Sequence, residues 1–370
     1  DIWTDRPALP EEKLFLISSD TTGKSASDKI KMVQGILSEN NADYFVFSAL
    51  DEIAWLYNIR CNDIKYNPVA ICYAIVGRDN SWLFVKRSKV TKEVEEALRQ
   101  VNIEVRDYHH LFLFLNEIEK GAVFCADTNN LNFAVYNKIV SSFVVTEVVS
   151  PIILAKSIKT PEEIEGFRKA CVKDSVAMAK FFYWLESNID NQLTETIVSE
   201  KLTTLRAQDK DYVSNSFENI SAYGMNAALP HYSAVPGADS VLEPKGLYLV
   251  DSGGQYTHGT TDITRTVPLG ELTLLEKEDY TIVLKGMIAL SRSIFPKGTR
   301  GCNIDAIARQ PMWQTLRNFG HGTGHGIGFF LNVHEGPQSI RQELKEQFIC
   351  PGMVTSDEPG IYREGLHGIR

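Results

Sequence analysis

Four segments in the second half of the chain concentrate side chains able to hold a cation or move a proton: ALPHYSAVP with His231, LYLVDSGGQYTHGTTDITRT with Asp251 and Asp262, HGTGHGIGFFLNVHEGP with His321, His325 and His334, and TSDEPGIY with Asp357 and Glu358. Carboxylates mixed with imidazole suit a hard or borderline divalent ion, whereas a structural zinc site would call for thiolates. Asp251 ends an apolar β run and is followed by SGG, so a strand delivers its carboxylate to the edge of a site. Asp262 follows eleven residues later across a GGQYTHGTT turn, enough for a hairpin-like return that sets the two carboxylates side by side. Buried neighbouring carboxylates repel unless cations lie between them, and a binuclear metal site resolves the conflict.

Singly, each residue has a plainer explanation. An Asp at a strand end is most often a turn former or helix cap, Asp262 fits a surface hairpin, His321 or His325 fits a hydrogen-bonded loop, and Glu358 before Pro359 can open a turn. Their joint occurrence carries the reading. The glycines at 322, 324, 326 and 328 miss the GxGxxG spacing, and TTGKS at 21–25 has Ser18 where a phosphate loop needs Gly. His109 and His110 precede an amphipathic run and are given no role.

The elements that must position these groups are legible from periodicity. From about Ser27 to Ala155 a helical DKIKMVQGIL, short aromatic and β-branched runs such as YFVFSAL, PVAICYAIVG and SWLFVK, and the charged helix TKEVEEALRQ predict an α/β domain with a parallel or mixed sheet. At Thr160 the sequence TPEEIEGF supplies a Thr cap, Pro at the first helical position and Glu163 three residues on, which predicts one long helix opening a second domain near residue 156. Beyond it come a helix through TETIVSEKLTTLRAQ, extended segments at VSNSFENISAYG, LYLVDSGGQY and TDITRTVPL, and a long helix through LEKEDYTIVLKGMIALSRSIF.

At 370 residues, with 44% hydrophobic and 23% charged, the chain can bury a large core. A net charge of −9 without a Lys/Arg run argues against nucleic acid and favours small or peptide substrates. The six cysteines form no CxxC pair and read as buried free thiols of a reducing compartment. No apolar stretch approaches a membrane span and the N-terminus has no signal-peptide core, so the expected location is the cytoplasm.

From IWTDRP through LDEIAWLYNIR and NPV to DEPGIY and HGIR, and most specifically in DSGGQYTHGTTDITRT and HGTGHGIGFFLNVHEGP, the chain resembles the X-prolyl aminopeptidases (aminopeptidase P), in their large cytosolic form. These are metallopeptidases of the pita-bread fold, the group that includes prolidase. The resemblance implies an α/β (α+β) chain with residues 1–26 a linker or remnant of a preceding domain, 27–155 a creatinase-like domain and 156–370 the pita-bread domain. It implies that Asp251, Asp262, His325 and Glu358 bind two divalent ions, with Asp262 bridging and Glu358 also handling the proton of the attacking water. His231, His321 and His334 would position the peptide and stabilise the tetrahedral intermediate, and Arg370 would neighbour the cluster through a carboxylate. The implied substrates are peptides with proline at the second position, and a homodimer is implied. Oxygen-rich ligation with one imidazole favours manganese, with zinc and cobalt as alternatives.

The family pattern continues two residues past the final arginine with a second bridging glutamate. Both ends read as cut, and the sequence as it stands is expected to hold at least one metal more weakly and to turn over slowly or not at all. Two other functions fit the same motifs: a prolidase-type dipeptidase, which needs the free carboxylate of proline, and a metal-free pita-bread domain that binds peptide or protein.

Overall fold

The computed structural model describes residues 3–370; Asp1 and Ile2 of the expected linker lie outside the described residues. The chain divides into two compact units, one running through Lys156 with Thr160–Glu163, the other comprising Ser157–Lys159 and Ile164–Arg370.

The first unit is built on a six-stranded sheet of β1 (Tyr44–Phe47), β2 (Cys72–Gly77), β3 (Ser81–Val85), β4 (Ile103–Arg106), β5 (Val123–Ala126) and β6 (Val144–Glu147), in the order β4-β3-β2-β1-β5-β6. The sheet is mixed: β3/β4, β1/β5 and β5/β6 are parallel, while β1/β2 and β2/β3 are antiparallel. Val46, Ile75, Phe84 and Phe124 form its buried centre, and the LFLFLNE segment packs there as a helix, Leu111–Glu117, through Leu111, Phe114 and Leu115. Those three recur at helical spacing, and burial of that stripe holds a segment whose alternation of Leu and Phe is equally strand-like.

The expected cap at Thr160 forms in full. Glu163 N donates to Thr160 Oγ1 at 3.1 Å and Thr160 N donates to the Glu163 carboxylate at 3.0 Å, opening the helix Pro161–Asn188. Reciprocal satisfaction of two otherwise orphaned donors explains why the helix starts there.

In the second unit β7 (Tyr212–Asn215), β8 (Ile220–Tyr223), β9 (Leu247–Ser252), β10 (Gly254–Tyr256), β11 (Gly259–Thr260) and β12 (Ile263–Pro268) form two three-stranded antiparallel sheets, β8-β9-β12 and β11-β10-β7. All six residues of β9 are buried, as its continuous apolar run requires. Phe181, Leu185, Val198 and Leu202, from the Pro161–Asn188 helix and the helix Glu195–Arg206, pack with Tyr248 and Val250 of β9. Two further hairpins follow: β13 (Gly324–Gly326) with β14 (Glu335–Ile340), and β15 (Ile361–Arg363) with β16 (His367–Ile369). Before both hairpins in sequence come the helices Leu274–Ser291 and Gly301–Trp313, the latter without a counterpart in the expected elements. All six cysteines are free, but only Cys61, Cys72 and Cys125 are buried; Cys171 sits exposed on its helix.

Candidate metal centre

Asp251 is the fifth residue of β9, opposite Thr264 of β12, and the chain between the two strands folds into the small β10/β11 hairpin before Asp262. The return expected from the sequence therefore occurs, with an extra hairpin inserted. The strand end is fixed from behind. Arg206, fully buried, donates through Nε and Nη2 to both carboxylate oxygens of Asp174, and Nη2 also donates to Ser252 Oγ at 3.1 Å. On the other side Arg370 Nη2 donates to Asp251 Oδ2 at 2.5 Å, leaving Oδ1 buried without a hydrogen-bond partner. Burial, opposed by Arg370 and reinforced by Asp262, pushes the Asp251 carboxyl up to about 6.

His325 lies in β13. A side chain at Gly324 would run into the carbonyl of Ser356, and one at Gly326 into the carbonyl of Glu335, so the glycines on either side of His325 permit close backbone approach. The His325 backbone N–H donates to Ser356 Oγ, whose hydroxyl in turn donates to Glu358 Oε1 at 2.7 Å. His325 Nδ1 faces the Gly326 carbonyl at 2.9 Å, an acceptor only, so Nδ1 carries the proton. Nε2 is thereby turned toward Asp262 Oδ2 and Glu358 Oε1, each 3.2 Å away. Burial alone would depress the imidazole, but hydrogen bonds to Asp262 and Glu358 override it and raise His325 to about 10. Burial likewise pushes Glu358 up, and the His325 contacts, Ser356 and Arg370 together hold it below the ordinary range.

One ligand atom each from Asp262, His325 and Glu358 falls within 4.8 Å of the other two. Two carboxylate oxygens and an imidazole nitrogen whose second nitrogen is anchored to a carbonyl form a donor set that fits a divalent cation. The bare Oδ1 of Asp251 is a further oxygen donor at the same cavity. Asp357, next in the chain to Glu358, has both carboxylate oxygens buried without partners, and burial with Glu358 beside it raises it to about 7.

The cavity, about 270 Å³, is lined by Asp251, Asp262, His325 and Glu358 and also by His231, His321, His334 and Arg370. The three further histidines differ in what they can do there. His334 and His231 are exposed, and the His334 ring stands edge-on to His325 with centroids 4.3 Å apart. His321 is engaged at both nitrogens: Nδ1 donates to the Gly322 carbonyl at 2.8 Å and Nε2 lies 2.7 Å from the Tyr362 hydroxyl. Arg370 Nη1 donates to that same hydroxyl at 2.8 Å, so Tyr362 gives its proton to His321. Burial lowers the His321 pKa, consistent with a neutral ring that accepts.

The helix Gly301–Trp313 supplies the support that the sequence did not reveal. Arg309, paired with Asp305, donates to the carbonyls of Phe319 and His321, and Asp305 accepts from Thr323 Oγ1, tying down the loop that carries His321. Tyr362, Arg341, Ser339 and the apolar Phe217 and Ile220 are further site residues missed in the sequence; only Tyr362, in EPGIY, sits inside a recognised motif.

The chain belongs to metallopeptidase family M24, whose profile matches residues 165–370. The profile of the creatinase/prolidase N-terminal domain matches residues 5–163. The second unit accordingly has the pita-bread fold and the first the creatinase-like fold. The chain is 42% identical to a probable Xaa-Pro aminopeptidase P of Sordaria macrospora, covering 100% of this chain and 62% of the relative, and 42% identical to one of Coccidioides posadasii, covering 99% and 62%. Among solved structures it is similar to the X-prolyl aminopeptidase of Caenorhabditis elegans, a cytosolic enzyme with a di-nuclear active site, at TM-score 0.92 and 33% identity over 100% of this chain and 61% of that one. It is also similar to the prolidase of Pyrococcus furiosus, at TM-score 0.72 and 26% identity over 91% and 94%. The chain thus spans about three-fifths of the length of the aminopeptidase relatives it matches.

Proposed function

We propose that this chain carries the metal centre of an Xaa-Pro aminopeptidase, a hydrolase releasing an N-terminal residue that precedes proline. The convergence of Asp262 Oδ2, Glu358 Oε1 and His325 Nε2 at one cavity carries this reading, and the aminopeptidase relatives support it over prolidase. Two divalent ions are proposed, which Asp251, Asp262, His325 and Glu358 would hold; manganese suits a set with three carboxylates and one imidazole. A cytosolic location is supported by the C. elegans enzyme. No helix among the described residues is long and apolar enough to cross a membrane. A homodimer is proposed on the family resemblance.

When bound, the ions supply Lewis acidity, lowering the pKa of a water and polarising a carbonyl. The protein's own groups do the rest. The peptide's free α-amine, seated beside the acidic ligands, sets exopeptidase register. Glu358, held ionised, takes a proton at a carboxylate oxygen and returns it to the departing proline nitrogen. His231 and His334, whose rings are exposed at the cavity, are the groups able to donate to the developing oxyanion. His321, with both nitrogens engaged, positions Tyr362 and Arg370 rather than touching that charge.

The test is hydrolysis of Ala-Pro-Ala against Ala-Pro by chelator-stripped protein with and without added Mn²⁺. Metal-dependent release of alanine from the tripeptide supports the proposal; turnover of the dipeptide alone would favour prolidase, and no turnover with no metal bound would favour a binding module.

A further inference from the structure

Arg341 stands at the wall of the metal cavity, and no role assigned above uses it. Its placement follows from the β13/β14 ladder. Ser339 pairs with His325, so their side chains share one face of the hairpin, and Arg341, two residues beyond Ser339, lines the same cavity as both. Nε donates to Glu343 Oε2 at 2.6 Å, and neither terminal nitrogen has an acceptor among the described residues. That ion pair is open to solvent, with side chains 40% and 68% exposed, so Glu343 aims the guanidinium without cancelling its charge.

The cavity is therefore charged in two senses. Asp251, Asp262 and Glu358 face the ions they would hold, which take up their charge, while Arg341, cationic at every accessible pH, repels a peptide's positive α-amine. With the scissile bond at the carboxylates, the part of the substrate that can meet Arg341 is the part beyond proline. The apolar Phe217, Ile220 and Pro230 of the same cavity suit the pyrrolidine ring and offer nothing to a charge. A planar guanidinium with both terminal nitrogens available matches a carboxylate by a pair of parallel hydrogen bonds.

We propose that Arg341 is a specificity-determining residue that binds a carboxylate on the residue after proline, an assignment that rests on the aminopeptidase reading above. The carboxylate has two sources: the C-terminus of a tripeptide, or the side chain of Asp or Glu at the third position of a longer peptide.

The test is steady-state hydrolysis of Ala-Pro-Ala against its C-terminal amide, and of Ala-Pro-Asp amide against Ala-Pro-Asn amide, by the Mn²⁺-loaded protein and its Arg341→Gln and Arg341→Lys variants. The acid of at least one pair is expected to exceed its neutral partner by about tenfold in kcat/KM, through KM, as a part-exposed charge-assisted contact would give. Which pair shows it identifies the source. The ratio falls toward one in Arg341→Gln and is partly kept in Arg341→Lys. Calorimetric binding of Pro-Ala and Pro-Ala amide reads the same preference without turnover. Acid-selective binding that Arg341→Gln abolishes, in a protein that hydrolyses no peptide, supports the subsite while counting against the aminopeptidase reading. Equal handling of acid and neutral partners by the unsubstituted protein, or a preference that survives in Arg341→Gln, overturns the proposal.

Discussion

His325 Nε2 and Glu358 Oε1 stand 3.2 Å apart, and Ser356 joins them from behind by accepting from the His325 backbone and donating to the Glu358 carboxylate. The pair is thus oriented by one serine before any cation arrives. Ser356→Ala is expected to leave the fold intact and weaken divalent-ion affinity by about 10- to 100-fold, the usual effect of losing a supporting hydrogen bond around a metal ligand. Competition with a fluorescent chelator measures it; unchanged affinity would show that the backbone alone sets the geometry.

Glu358→Gln separates ligation from proton transfer. An amide keeps one oxygen donor but cannot accept the proton, so kcat on an Xaa-Pro-Yaa peptide is expected to fall by about 10²- to 10⁴-fold. The fall should exceed whatever excess metal restores. Full recovery at high Mn²⁺ would assign Glu358 a purely ligating role.

Arg206 and Asp174 pair with almost no exposure behind the strand end that presents Asp251. Asp174→Ala leaves the guanidinium buried without its partner and is expected to cost about 3–5 kcal/mol in urea unfolding. Arg206→Met with Asp174→Leu removes both charges and should recover most of that loss. If the single and double variants unfold alike, the pair contributes packing and not charge compensation.

In the first unit Glu52 is 3% exposed and accepts a hydrogen bond from Ser150, yet burial outweighs that contact and raises its carboxyl to about 7. The folded value lies above the ordinary glutamate value of 4.5, so folding favours the protonated form. Its contribution to stability is complete below the unfolded pKa and is lost as pH rises through 7. Glu52→Gln is therefore expected to stabilise the protein at pH 8 by about 1–3 kcal/mol relative to its effect at pH 4.5. Urea midpoints at the two pH values check this, and an equal effect at both would remove Glu52 as a source of pH dependence.

What the sequence made legible were features written in neighbouring residues. Thr160 and Glu163 announce their cap, the LYLVD run announces a buried strand ending in a carboxylate, and the His and Asp motifs announce a cluster. What it hid depends on register between distant segments. Arg341 reaches the cavity because Ser339 pairs with His325, and Nε2 of His321 is engaged because β15 brings Tyr362 to it. Neither relationship has a spacing in the chain. The helix Gly301–Trp313 was missed although Ile304, Ala308 and Met312 recur at helical spacing, and Pro311 within it gives a contrary local signal.

The central claim is that Asp262, His325 and Glu358 hold a divalent ion. Calorimetric titration of chelator-stripped protein with Mn²⁺, for the unsubstituted chain and for His325→Ala, tests it most directly. Saturable binding that His325→Ala weakens by at least about 100-fold is the predicted result, since among the described residues His325 is the imidazole grouped with both carboxylates. Equal binding by both proteins, or none by either, would contradict it.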